Sequence, residues 1–293
     1  MANRRNSKLN EGTQRFAAKL WEIRFVLLMV FSYLLLFGWL FSGEIRADLR
    51  PTEVLTIPDD PLWKKPDAEH WFGTTGTGAD LFQLSRVAMA TTLAISVVVS
   101  GIGVGLTFLV VMMFAFDPGE RRFSLLKSIG RTGVFLPAMV VVIVLAGGAG
   151  GSLIVTVLTL SVLVALHLSP TVAGWLEEGE ERVGTVTGYI LGLTRPEIVS
   201  NRIVPQILRR LIGVFVALIP PIALAEMGLS FLGLAGGRLS CGDLISRGQE
   251  VIIEAPWMAV CPGILATLIV VALALLGWFS SRFFKTGILP RWI

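Results

Sequence analysis

Six long apolar runs leave this chain very little choice of fold: roughly Phe25 to Ser42, Met89 to Phe116, Thr132 to Ala146, Ser152 to Leu168, Leu211 to Leu234 and Trp257 to Ser280. Charged stretches separate them, except for the uncharged link Gly147 to Gly151 between the third and fourth. A run of about 20 apolar residues matches a hydrocarbon layer about 30 Å thick. Inside that layer the backbone must satisfy its own polar groups, and a single segment does so only as a helix. With 54% apolar and only 16% charged residues, the chain cannot clothe a water-soluble domain. The expectation is an all-α membrane protein with six transmembrane helices.

Basic residues set the orientation. Arg4, Arg5, Lys8, Arg15, Lys19 and Arg24 precede the first run, and Arg121, Arg122, Lys127 and Arg131 follow the second. Arg282, Lys285 and Arg291 follow the sixth. Positive flanks mark the cytoplasmic side, so both termini are expected inside. The net charge of +4 is therefore a topology signal, facing lipid at the membrane edges. It forms no continuous basic stripe with aromatics, and no nucleic-acid partner is expected. The first run is too long for a signal-peptide core and lacks a small-x-small exit, so no cleavable signal is expected.

The resulting organisation is a cytoplasmic segment 1–24, a first span 25–42, an outer loop 43–88, a five-helix core 89–280 and a cytoplasmic tail 281–293. The outer loop ends in an amphipathic stretch, Asp80 to Ala88, expected to lie along the membrane surface. Within the core, an inner loop 169–210 holds an acidic patch from Glu177 to Glu181, then Gly192, Pro196 and Pro205. Two short helices broken by turns are expected there.

The chemistry of catalysis is missing. There is no phosphate-binding Gly-x-x-x-x-Gly-Lys-Ser/Thr loop, no metal-ligand cluster and no nucleophile-base pair, so neither enzyme activity, cofactor nor metal is expected. Cys241 and Cys261 have no metal-like spacing, and a disulfide between them stays open. Glu226 is the one acidic residue well inside an apolar run. Counted from Arg210 it lies about 24 Å along its helix, near the outer mouth. Either it lines a watery path or it is an interfacial carboxyl bonded to its neighbours. Pro220 and Pro221 precede it and are expected to kink the helix. His167 reads as an interface residue rather than a proton relay.

Three motifs carry a resemblance. His70-Trp71-Phe72-Gly73-Thr74-Thr75-Gly76-Thr77-Gly78-Ala79-Asp80 precedes the second run. Ala225-Glu226-Met227-Gly228-Leu229-Ser230-Phe231-Leu232-Gly233-Leu234 closes the fifth, and Ala255-Pro256-Trp257 opens the sixth. Together they resemble the C-type permease subunit of dipeptide, oligopeptide and nickel importers driven by ATP-binding cassettes. Thr75 and Ala79 replace a charged pair usual in that family. The family's coupling motif, Glu-Ala-Ala, three residues, Gly, nine residues, Ile-x-Leu-Pro, survives as a frame. Counting back from Pro205 puts the glycine at Gly192 and the isoleucine at Arg202, beside Ile203; Val186, Thr187 and Gly188 stand at Glu-Ala-Ala.

The resemblance implies a type I importer fold in a bacterial inner membrane and a translocation path past Glu226 and Ser230. It also implies a coupling surface at Thr187, Gly188, Gly192, Ile203 and Pro205. Implied partners are a homologous permease, cytoplasmic ATPase subunits and a periplasmic or lipoprotein substrate-binding protein. Glu197 and the patch at Glu177, Glu178, Glu180 and Glu181 are candidates to replace the missing coupling glutamate. The worn signature also admits a permease-derived scaffold that has lost transport coupling.

Overall fold

The computed structural model describes residues 38–39, 63–115, 138–180, 187–188, 190–234 and 236–285. Most of the first run, the Phe135-Leu136-Pro137 step, Val186, the N-terminal segment and the last eight residues lie outside them. The described residues are helical apart from short loops, with one isolated bridge between Thr74 and Asp80.

The elements are α1 (Leu81–Ala115), α2 (Ala138–Gly148), α3 (Leu153–Glu180), α4 (Arg195–Ile198), α5 (Val204–Phe231), α6 (Cys241–Glu250) and α7 (Trp257–Lys285). A π-turn, Val199–Ile203, joins α4 to α5 without a break. Four helical stretches are long and apolar enough to cross a bilayer: Leu81–Met113, Leu153–Glu180, Pro196–Phe231 and Trp257–Trp278. The chain is thus a multi-pass membrane protein. Its exposed Val144, Ile154, Leu158, Leu268 and Leu275 present apolar surface of the kind lipid covers.

Two expectations change. The surface stretch Asp80 to Ala88 is instead the first two turns of α1, because Leu81, Leu84, Ser85 and Ala88 are buried against α5, α6 and α7. The inner loop is mostly an extension of its flanking spans: α3 runs through the acidic patch to Glu180, and the helix of the fifth span begins at Arg195. Pro196 and Pro205 do not break it, since each sits near a helix start or the π-turn, where an N–H is expendable. Helix α5 also continues through Pro220 and Pro221. Those rings remove two amide donors, and Gly277 of α7 brings its backbone against Val216 and Ala217 there; a Cβ on it would stand 3.1 Å from the Ala217 Cα.

Small residues set the helix spacing. Gly103 of α1 packs on α3 so closely that a Cβ would lie 2.6 Å from Val164 Cγ1. Hydroxyls tie α1 to both neighbours: Ser100 donates to the Phe215 carbonyl of α5 at 2.9 Å, and Ser161 of α3 to that of Val99 at 3.4 Å. Three buried clusters follow. One is centred on Leu81, Met89, Leu93 and Leu273, a second on Leu176, Ile198, Ile203 and Ile207, and a third on Val99, Leu160 and Leu229.

Candidate functional site

The inner hairpin is built by two helix ends. Leu191 N–H bonds the Thr187 carbonyl at 3.0 Å and Leu193 N–H that of Gly188 at 3.1 Å, with Gly192 at φ +82° between them. This is a Schellman stop, and its left-handed residue is the reason for glycine at the site. Next, Glu197 reaches back to accept from both the amide and the hydroxyl of Thr194, each at 2.8 Å, which opens α4.

The hairpin separates what is buried from what is offered. Ile203 is buried, and a Cβ on Gly179 of α3 would come 2.9 Å from its Cγ2. Gly188 is buried too, while Thr187, Gly192 and Pro205 are exposed. Of the five residues assigned to coupling, Ile203 and Gly188 therefore hold the hairpin together from within. The largest exposed apolar groups were not among them: Ile190 is 79% and Leu191 72% exposed, with Leu193 also at the surface. The sequence signal for them is an apolar triplet around glycine inside a charged loop. Both acidic substitutes with described contacts are engaged within the chain. Glu197 caps α4, and Glu178 meets Arg210 Nη1 at 3.0 Å while that guanidinium lies over Trp175.

Glu226 lies at the other end of α5, 1% exposed, between α1 and α6. Ser230, one turn on, donates to its Oε1 at 2.7 Å. Thr92 of α1 lies beside the carboxyl, and the Thr92 hydroxyl accepts from the Cys241 amide at 3.3 Å. Oε2 has no hydrogen-bond partner among the described residues. Cys241 and Cys261 are free thiols; the Cys241 sulfur touches Met89 Sδ at 3.5 Å, and burial pushes its pKa up to about 12.

Helix α6 is wedged against the end of α5. A Cβ on Gly242 would collide with the Met227 carbonyl, and one on Gly248 would stand 2.5 Å from the Ala259 amide. Ser240 caps α6 by accepting from Asp243 N–H at 3.3 Å. Helix α5 itself stops by a second Schellman turn: Leu234 N–H bonds the Leu229 carbonyl and Gly233 N–H that of Ser230, both at 2.9 Å, with Gly233 at φ +75°. The Leu-Ser-Phe-Leu-Gly-Leu run is thus a helix stop with its hydrophobic pair, Leu229 and Leu234, in one cluster.

The loop before α1 is a clamp. Asp80 caps α1 through Gln83 N–H at 3.0 Å and holds His70 Nδ1 at 3.0 Å with its other oxygen. Thr74 Oγ1 accepts from the Lys64 amide at 2.8 Å, and Trp257 Nε1 donates to the Thr74 carbonyl at 3.5 Å. Thr75, where the related pattern has Asp, supplies an acceptor with its hydroxyl, taking the Ala79 N–H at 3.1 Å. His167 is exposed and bonds the Leu163 carbonyl of its own helix at 2.9 Å. No cluster of metal-ligating side chains occurs among the described residues.

No family model matches the chain. Curated relatives do. The oligopeptide transport system permease protein OppC of Mycobacterium tuberculosis (strain H37Rv) is 26% identical over 240 residues, covering 80% of this chain and 82% of its own. OppC of Haemophilus influenzae is 26% identical over 198 residues, 66% of this chain and 62% of its own. Two distant motifs of the chain meet in space, at Thr74 with Trp257, and its relatives are permeases: the chain resembles the C-type membrane permease subunit of oligopeptide importers.

Proposed function

We propose that this chain is the transmembrane permease subunit of an ATP-binding-cassette importer for peptides or similar small solutes, in the inner membrane of a bacterium. Six spans with both termini inside would form the path together with a homologous permease. Separate cytoplasmic ATPase subunits supply ATP hydrolysis, and a periplasmic or lipoprotein binding protein delivers solute. The chain itself carries no catalysis.

The observation that carries this reading is the inner hairpin. A rigid turn at Gly192, anchored from within by Ile198, Val199 and Ile203, holds Ile190 and Leu191 out into solvent at the end of a spanning helix. Exposed aliphatic residues on a braced protrusion suit a cleft in a partner. ATP-driven closure of the ATPase pair would push Thr187 to Pro205, tilt α5 and move Glu226 and Ser230 between two arrangements of the path.

The test is ATP-driven uptake by the reconstituted complex carrying Leu191→Asp. Loss of ATPase subunits from the purified complex, and of uptake, is expected while the chain still inserts. Undiminished uptake and ATPase retention would sink the reading. The worn positions Val186, Arg202, Thr75 and Ala79 favour a second reading, a scaffold derived from a permease. Purification of the native complex without any ATPase would favour that one.

A further inference from the structure

Arg86 is the single charged residue of α1, five residues from its start. It precedes the apolar run that opens at Met89 by three residues, about 4.5 Å, at the level where hydrocarbon gives way to headgroups. Its Nε is buried and has no hydrogen-bond partner among the described residues. The interaction found for its guanidinium is with the ring of Trp39, whose centroid is 5.9 Å away.

Among the described residues, the acidic groups of the adjoining loop are committed elsewhere. Asp80 holds His70 and caps α1, while Asp67 and Glu69 bind Lys64. A guanidinium stays charged under all ordinary conditions, and an aromatic face offsets only part of the cost of removing it from water. What the position lacks among the described residues is an oxyanion.

Its surroundings say which one. Trp39 and Trp71 flank Phe82 at 6.1 Å and 5.5 Å between ring centroids, and both indoles are exposed. Indoles at the end of a spanning helix sit at headgroup level. A fork of N–H donors matches a phosphate with two parallel hydrogen bonds.

We infer that Arg86, stacked on Trp39 at the Leu81 end of α1, binds the headgroup phosphate of a bilayer phospholipid.

The test uses the full chain, stripped of lipid and titrated by thermal unfolding with phosphatidylglycerol, with diacylglycerol of the same acyl chains, and with inorganic phosphate. Phosphatidylglycerol alone is expected to raise the midpoint. Arg86→Gln should raise the lipid concentration for half-effect by about tenfold or more, the loss of charge-assisted hydrogen bonds. Arg86→Lys, which keeps the charge without the fork, should fall between. Equal action of diacylglycerol, or unchanged lipid affinity in Arg86→Gln, overturns the inference. So does a full effect of inorganic phosphate, which would make the ligand a free anion. Loss of a co-purifying membrane subunit from Arg86→Gln with lipid binding intact would also overturn it, because the counter-ion would then be a partner's carboxylate. Should Arg86→Gln fail to insert, the lipid comparison on the native chain and on Arg86→Lys decides.

Discussion

The indole of Trp257 donates its N–H to the carbonyl of Thr74, 183 residues earlier, and so joins the loop before α1 to the start of α7. Two motifs far apart in sequence are halves of one clamp. Gly73 completes it: at φ +75°, with the Lys64 carbonyl 2.5 Å and Trp257 Nε1 3.0 Å from where a Cβ would stand, it admits no side chain.

Trp257→Phe should therefore lower stability by about 1 kcal/mol, the worth of one hydrogen bond. Gly73→Ala should cost more, about 1–3 kcal/mol of backbone strain alone, with steric conflict added. Thermal unfolding in detergent measures both, and a Gly73→Ala variant as stable as the native chain would contradict the clamp.

The pair Ser230 and Glu226 separates structure from transport. Ser230→Ala strips the one hydrogen bond of Oε1 in a buried site and should destabilise by about 1–3 kcal/mol. Glu226→Gln keeps an acceptor oxygen for Ser230 and should unfold near the native midpoint. Uptake by Glu226→Gln then decides the role of the carboxyl: a fall in transport at unchanged stability places its function in the path.

At the inner hairpin the exposed and buried residues should behave oppositely. Ile190→Asp should leave thermal stability within about 0.5 kcal/mol, as surface changes do, while uncoupling the ATPase subunits. Ile203→Ala should cost about 2–5 kcal/mol by leaving a cavity against Gly179 and Leu176. Paired unfolding and ATPase co-purification measurements distinguish the two.

Outside the spans, the side chain of Lys64 and the amides of His70 and Glu69 hold the Asp67 carboxyl down at about 2, below its ordinary 3.8. The carboxylate form is the one the fold favours. Its contribution to loop order is complete above about pH 4 and is lost as pH falls through about 2. Hydrogen exchange at the Glu69 and His70 amides should show lower protection in Asp67→Asn than in the native chain near pH 7. Toward pH 2 the two should converge.

The spanning helices could be read from the sequence because lipid imposes one solution on a long apolar run, and Leu153 to Leu168 or Trp257 to Trp278 have no alternative. Where they end was harder to read. Leu81 to Ala88 looks amphipathic in isolation, and only its packing on α5, α6 and α7 decides that it belongs to α1. Glu177 to Glu180 looks like a loop for its charge, yet Leu176 and Gly179 bury a face between those charges and extend α3 past them. Gly192 and Gly233 were informative because a left-handed helix stop demands glycine. Thr92 beside Glu226 was invisible, since it depends on the mutual rotation of α1 and α5, which no local pattern encodes.

The unbroken helix from Pro196 to Phe231 has 36 residues and is about 54 Å long. The hydrocarbon it crosses is about 30 Å thick, and a tilt of about 20° would shorten its span by only about 3 Å. Some 20 Å of rod is left over. The apolar run, Leu211 to Leu234, occupies the Phe231 end, so that surplus falls at the Gly192 end and makes a stalk. On the proposed topology it carries Ile190 and Leu191 clear of the lipid headgroups, where a large water-soluble protein can reach them without touching the membrane.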